Sequence, residues 1–394
     1  IMMKAPPPVC ARALVLLILA HAANGQMARS NVAQTRSLSN MLMQHQRLST
    51  ASRAHHKRDL DAWNMPVSHQ LRSNRIRLLQ QPMHDATTVL RRPTVATKAT
   101  ENPLFNDIAG FYDSLSGIWE REYGEHMHHG WYGPGAANSM TVQEAQIALM
   151  EETAKLGDIQ ALKEKIEKEE GRKIRILDVG CGIGGASRWL ARTFDAEVTG
   201  ITLSPKQVQR ARELAKEANL SEQTTFEVRN ALDSGLADGS FDVVWSLEMA
   251  EHIPDRPRFL SEINRMLNKK YGRLALVTWC RKNGMLDFDE EIALNYISEW
   301  YNLPRWVSME RWASLAPDAG FKPPTPLDWS ENIRPLQFWG DILKTSLEPK
   351  NIIGLLAIGD KGVKAGAAAA LMGYGFYKDF IVFGAMRLDV SESN

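Results

Sequence analysis

The chain has 394 residues, 44% of them hydrophobic, which is enough to bury a sizeable core, and its formal net charge of +1 hides an asymmetry. Residues 1–100 carry 14 Lys and Arg against 3 Asp and Glu, whereas the rest carries 33 against 43. An acidic body excludes a nucleic-acid-binding face there, and the two cysteines beyond the leader, Cys181 and Cys280, exclude a disulfide framework and a CxxC zinc site.

The basic leader has its own grammar. Lys4 and Arg12 precede an apolar run at 13–20, and Ala23, Asn24 and Gly25 offer small residues for cleavage. Residues 1–25 therefore read as a secretory signal peptide, since the run is too short to span a bilayer comfortably, with an uncleaved anchor as the alternative. Residues 26–97 are rich in Arg, Ser, Gln, His and Thr, with Asp59 as their first acid, and read as a disordered, transit-peptide-like leader. A signal followed by a transit peptide is the address of a plastid entered through the secretory system, as in many algae. Retention in the secretory pathway is the alternative.

The folded domain is expected over 98–394. Residues 103–123 read as a helix or two short ones. Thr141-Val142-Gln143-Glu144 is a capping box, opening a helix whose apolar stripe runs Leu149, Leu156, Ile159, Leu162, Ile166 until Gly171 ends it. Strands are expected at 174–179, 197–202, 224–229, 241–246 and 272–279. They alternate with helices near 185–194, 204–218 and 256–267, the second having Pro205 in its first turn. Such alternation gives a parallel sheet with helices on both faces, and ligands at the carboxyl ends of its strands. Residues 283–376 interrupt the sheet with a helical, aromatic insert that carries Trp300, Trp306, Trp312, Trp329 and Trp339. Most of these should pack in the core, and the rest should line an apolar pocket. The Ala-rich run 365–370 reads as helix and 376–388 as the last strand.

Function is concentrated in Ile176-Leu177-Asp178-Val179-Gly180-Cys181-Gly182-Ile183-Gly184-Gly185. An apolar strand passes into a glycine turn that brings backbone N–H groups to a helix N-terminus, where a small cofactor is held. Gly180, Gly182 and Gly185 fit the dinucleotide pattern, but that pattern expects an acid at the end of the second strand, where Thr202 stands. It also gives no reason for Asp178. A cationic cofactor does, because a carboxylate beside an ammonium or sulfonium is favourable in a partly dry site. D-x-G-x-G-x-G is the pattern of class I S-adenosylmethionine methyltransferases.

Further segments narrow the resemblance. Tyr112-Asp113-Ser114-Leu115-Ser116-Gly117-Ile118-Trp119-Glu120 leads to His126-Met127-His128-His129-Gly130. Gly200-Ile201-Thr202-Leu203-Ser204-Pro205 follows the second strand and Trp245-Ser246-Leu247-Glu248-Met249-Ala250-Glu251-His252 the fourth. With Val277-Thr278-Trp279-Cys280 and Asp328-Trp329-Ser330-Glu331-Asn332, the chain from about 105 to 390 resembles the γ-tocopherol methyltransferases of plants, algae and cyanobacteria. The resemblance implies a class I methyltransferase fold: a Rossmann-like, seven-stranded, mostly parallel α/β sheet with an amino-terminal helical lid. It implies S-adenosylmethionine as cofactor and methylation of a ring carbon of a lipophilic, prenyl-tailed chromanol, with peripheral membrane contact compatible with such a substrate. Close plant relatives recruited to alkaloid N-methylation, and a catalytically silent lipid-binding relative, remain alternatives.

Carried over residue by residue, Asp178, Gly180, Gly182 and Gly184 would hold the methionyl part of the cofactor. Thr202, with Gln207, would take the place of the usual ribose-binding acid. Asn230, Ala231 and Leu232 would wall the adenine, Asn230 accepting from its amino group through the amide oxygen. Methylation at carbon requires the phenol proton to leave, and a free phenol has a pKa of about 10, so a base is useful. His252 is the candidate base or relay, with helix capping as its alternative role. Glu248 and Glu251 stand near to orient it, one of them expected to be solvated. Tyr112 matches a lid tyrosine or else packs. No metal site is expected, because His126, His128 and His129 form one short cluster without carboxylate partners.

Overall fold

The computed structural model describes residues 103–133, 140–346, 348, 351 and 360–392. The leader assignments at 1–25 and 26–97, and the domain start at 98, lie outside the described residues. Helix α1 spans Pro103–Tyr123. Helix α2 (Val142–Leu156) opens on the expected capping box: Thr141 Oγ1 accepts from Glu144 N at 3.2 Å, and the Glu144 carboxylate accepts from Thr141 N at 2.8 Å.

The long apolar stripe does not form one helix. The chain breaks at Gly157 and Asp158, the latter at φ +49°, and resumes as α3 (Ile159–Glu170), which Gly171 ends in the left-handed region. The break turns Ile159, Leu162 and Ile166 into the core while Leu156 stays half-buried.

Five parallel strands follow, β1 (Arg175–Val179), β2 (Glu197–Thr202), β3 (Thr224–Val228), β4 (Val243–Leu247) and β5 (Arg273–Arg281), each joined to the next through a helix except β3 to β4. Their connecting helices are α4 (Gly185–Phe194), α5 (Pro205–Glu217) and α6 (Arg256–Met266). The insert folds as α7 (Phe288–Tyr301), α8 (Met309–Leu315), α9 (Pro335–Ser346) and α10 (Asp360–Tyr377). It also supplies a strand, β6 (Leu327–Asp328), so it does not merely interrupt the sheet. The last strand, β7 (Ile381–Asp389), starts later than expected because Phe376 still belongs to α10.

The order is β3-β2-β1-β4-β5-β7-β6, with β7 antiparallel to both neighbours. This is the seven-stranded, mostly parallel, Rossmann-like sheet of class I methyltransferases. Order reverses beside β1, so the edge where β1 and β4 end is the switch point at which such sheets bind ligands. The core lies on the strands: Leu177, Val179, Val244, Leu274 and Leu276 pack with Phe259, Ile263 and Trp312 from the helices. The five insert tryptophans are all buried, and so are Cys181 and Cys280. Among the described residues, no helix is long and apolar enough to cross a membrane.

Candidate active site

Asp178 is the penultimate residue of β1, in register with Gly200 of β2 and Trp245 of β4. Its carboxylate is buried and accepts a hydrogen bond from Ser187 Oγ at 2.5 Å. Burial pushes its pKa up to about 6, against the lowering effect of that bond. Gly180, Gly182 and Gly184 follow at φ +81°, +54° and +79°, a region glycine enters without penalty.

The three glycines face different surroundings. A Cβ on Gly180 would lie 2.2 Å from Met249 Cγ, and one on Gly184 would lie 2.7 Å from the Phe226 ring. On Gly182 it would meet nothing nearer than Met127 Sδ at 4.0 Å. Gly182 thus opens onto a cavity of about 130 Å³, which Asp178, Gly180, Thr202, Gln207, Asn230 and Ala231 also line. Two expected cofactor residues stand apart from it. Gly184 caps α4 against Phe226, and Leu232 faces the hydrophobic core.

The rim of this cavity is tied down by α1. Thr202 Oγ1 donates to Gln207 Oε1 at 2.7 Å, and Gln207 Nε2 donates to Ser116 Oγ at 3.3 Å. Ser204 Oγ donates to Asp113, and Arg210 pairs with Glu120 at 2.7 Å. Ile108 and Ala109 of the same helix wall the cavity. Asn230 Oδ1 accepts from Leu232 N at 2.9 Å, leaving its second lone pair for a ligand.

A second cavity, of about 170 Å³, adjoins the first. Trp119, Tyr123, Trp279, Tyr301, Phe338 and Trp339 wall it, and it continues to Ile342, Ala365 and Gly366 on α9 and α10. Of the five insert tryptophans only Trp339 lines it; the others pack elsewhere. Four residues border both cavities: Met127, His128, Glu248 and His252.

The histidine segment reaches that shared wall because its backbone is gripped. Trp119 Nε1 and Gln146 Nε2 donate to His126 O at 2.8 and 2.7 Å, and Gln146 also reaches His128 O at 3.1 Å. Gly130 sits so close to α2 that a Cβ would lie 2.5 Å from that of Ala145. Burial pushes the His126 pKa down to about 3, that of His128 down, and that of His252 down to about 4. All three rings are therefore neutral near pH 7. His252 ends a 3₁₀ turn, Ala250–His252, just past β4.

Glu248 does not have its expected surroundings. Its carboxylate accepts from His129 N at 2.7 Å, His129 Nδ1 at 2.8 Å and Trp279 Nε1 at 2.9 Å, bonds that orient His129 rather than His252. They hold Glu248 at φ +50°, a conformation costly for a side chain with a Cβ. Neither glutamate is solvated. Glu251 is buried 2.7 Å from Thr278 Oγ1, and burial, then the Glu248 charge, push its pKa up to about 8. Tyr112 lies within α1, but its side chain is outside the described residues. Among the described residues no group of three or more His, Cys, Asp or Glu is arranged to hold a metal ion.

A methyltransferase-domain family matches residues 177–276, from β1 into β5. The chain is 39% identical over 300 residues to the chloroplastic tocopherol O-methyltransferase of Arabidopsis thaliana, covering 74% of this chain and 84% of that one. It is 39% identical over 286 residues to a rice protein (Oryza sativa subsp. japonica) described as a probable chloroplastic tocopherol O-methyltransferase, covering 71% and 76%. The chain belongs to the tocopherol methyltransferase family. In fold it is similar to the cyclopropane synthase MmaA2 of Mycobacterium tuberculosis, with a TM-score of 0.60 at 20% identity, covering 73% of this chain and 99% of that one.

A tocopherol methyltransferase-family protein of this class uses S-adenosylmethionine, and the first cavity fits that cofactor on its own terms. Asp178 is a buried carboxylate whose ionisation burial disfavours and a cation would favour, and Gly182 leaves open the space a Cβ would fill. Sequence reasoning missed the His129–Glu248–Trp279 cluster. Each member was visible in a quoted motif, yet nothing in the spacing joins residues so far apart.

Proposed function

We propose that this member of the tocopherol methyltransferase family methylates a ring carbon of tocopherols, converting γ- to α-tocopherol and δ- to β-tocopherol in vitamin E biosynthesis. The observation that carries the reading is the wall shared by two cavities, one at the glycine turn and one lined by aromatic side chains. A chromanol with an apolar tail needs an apolar pocket with one polar end.

When bound, S-adenosylmethionine supplies an electrophilic methyl group on a sulfonium. Asp178, Gly180 and Gly182 hold its methionyl end, Thr202 and Gln207 its ribose, and Asn230 and Ala231 its adenine. His252, neutral and on the shared wall, takes the phenol proton and thereby makes the adjacent ring carbon a strong nucleophile. Tyr112 closes over the site as part of the lid. Glu248 holds the His129 segment that forms the pocket floor.

The Arabidopsis and rice relatives are named as O-methyltransferases; methylation at carbon is what the family resemblance implies. Incubation with methyl-labelled S-adenosylmethionine and γ-, δ- or β-tocopherol separates the two. The expected product from γ-tocopherol is α-tocopherol, and a methyl ether would move the reaction to oxygen. An amine substrate is the second reading, favoured by the Glu248 anion at the shared wall. Methylation of an indole alkaloid with γ-tocopherol ignored would establish it. Both relatives are described as chloroplastic, which supports a plastid destination. The secretory route to it rests on the leader's sequence. No nucleic-acid or obligate protein partner enters this scheme, and peripheral membrane contact would serve substrate capture.

A further inference from the structure

C-methylation of a phenol moves two protons. The phenol loses its O–H proton. The ring carbon's electron pair then forms the new carbon–carbon bond while the methyl–sulfur bond breaks toward sulfur. What results is a neutral cyclohexadienone whose methylated carbon still carries hydrogen. Aromaticity returns only when that C–H bond breaks, its electron pair re-entering the ring, and the oxygen regains a proton. A site with one base beside the oxygen is therefore half equipped.

The shared wall holds a second imidazole in a defined tautomer. His128 Nδ1 lies 2.7 Å from the carbonyl oxygen of His129, and because that oxygen only accepts, Nδ1 carries the hydrogen. The neutral ring therefore has its lone pair on Nε2. That atom is buried and has no hydrogen-bond partner among the described residues, although His128 lines both cavities. An unpartnered buried acceptor is costly to keep, and burial keeps it deprotonated. Glu248, on the same wall, is already occupied by three donors.

We propose that the two proton transfers are divided between two histidines: His252 takes the O–H proton, and His128 Nε2 removes the ring C–H proton after the methyl group has arrived. His252 returns its proton to the oxygen, and His128 passes the ring proton on to solvent, which accounts for the single proton released per turnover. This assignment rests on the tocopherol reading above. Wild-type failure to methylate γ-tocopherol would remove that reading, whereas the variants below test the division itself.

The variant of choice is His128→Asn, because its amide nitrogen can replace Nδ1 as donor to His129 O while the Nε2 lone pair is lost. With γ-tocopherol deuterated at the open ring carbon, kcat should fall by about 10²-fold and acquire a primary isotope effect absent from kcat/KM. Acid quench of a single turnover should show a methylated species still carrying the ring deuterium. His252→Ala should instead lower kcat/KM without an isotope effect. S-adenosylhomocysteine affinity, measured by calorimetry, should be unchanged in His128→Asn and His128→Gln. Full activity in His128→Asn, or equal loss of kcat and kcat/KM with no isotope effect and no deuterated intermediate, would overturn the proposal. Loss of S-adenosylhomocysteine binding in both His128 variants would also overturn it, by assigning the ring to structure.

Discussion

The Glu248 carboxylate accepts both the backbone N–H and the Nδ1–H of His129, at 2.7 and 2.8 Å, and so fixes the ring that stacks on Phe338 at 4.0 Å. Burial opposes ionisation of Glu248, but its electrostatic attraction to His129 and the hydrogen bonds between them outweigh it and hold its pKa below the ordinary value. Removing one partner of a buried pair costs about 3–5 kcal/mol. Glu248→Ala should therefore lower the unfolding free energy at pH 7 by roughly that amount, read by urea denaturation. A depressed carboxylate stabilises the fold above its unfolded pKa, about 4.3 for Glu, and that contribution is lost as pH falls through the folded value. The gap between wild type and variant should accordingly close below pH 4. An unchanged midpoint at pH 7 would show that the pair adds no stability.

Asp178 has the opposite sign. Its folded pKa is raised to about 6, so without ligand its contribution to stability is present below the unfolded value, about 3.9, and is lost as pH rises through 6. A cationic ligand selects the carboxylate and restores what ionisation removed. S-adenosylmethionine should bind more weakly as pH falls below 6, approaching tenfold per unit, while its thermal stabilisation of the protein grows from pH 5 to 7. Asp178→Ala should abolish that pH dependence and weaken binding by about 1.5–3 kcal/mol. Calorimetry at pH 5, 6 and 7 decides it, and a flat profile in the wild type would place the cation elsewhere.

The parallel strands were legible because strands buried on both faces read as short apolar runs between turns, and β1 through β5 fall within a few residues of expectation. β6 was not, since Leu327 and Asp328 are both exposed at the sheet edge and carry no pattern. The break at Gly157 and Asp158 was hidden because the apolar period runs straight across it from Leu149 to Ile166. At the site, Asp178 and Gly182 could be placed on the cavity from the turn motif, since local backbone positions them. Gly184 could not, because its surroundings are set by Phe226 of β3. Glu248 was misjudged for the same reason: its partners, His129 and Trp279, come from distant motifs.

His252 supports a kinetic prediction. Burial lowers its pKa to about 4, so the ring is neutral across the usable pH range. His252→Ala should lower turnover with γ-tocopherol by about 10²-fold or more with little change in S-adenosylmethionine affinity. Raising the pH toward the phenol's own pKa, about 10, should recover part of the loss, because the substrate then ionises unaided. A variant with wild-type turnover would return His252 to a structural role.

The leader can be tested apart from the enzyme. Residues 1–100, with their 14 basic and 3 acidic side chains, should carry a fluorescent reporter into the plastid of an alga whose plastid is entered through the secretory system. Secretion of the reporter into the medium would show that only the signal peptide acts.

Gly366 offers a test of where the substrate's tail lies. It sits within α10 and lines the far end of the aromatic cavity, and a Cβ built there meets nothing within 4 Å. Gly366→Leu should leave the helix intact, since leucine is favoured over glycine in a helix interior by roughly 1 kcal/mol. The added side chain enters the open space beside the cavity that Gly366 lines. The KM for γ-tocopherol should rise by about tenfold, equivalent to 1.4 kcal/mol, while a tailless chromanol with the same ring methylation keeps its wild-type KM. The ratio of the two constants is the measurement, because loss of stability or of cofactor binding would move both together. A KM that rises equally for both chromanols, or for neither, would place the tail outside the space between α9 and α10.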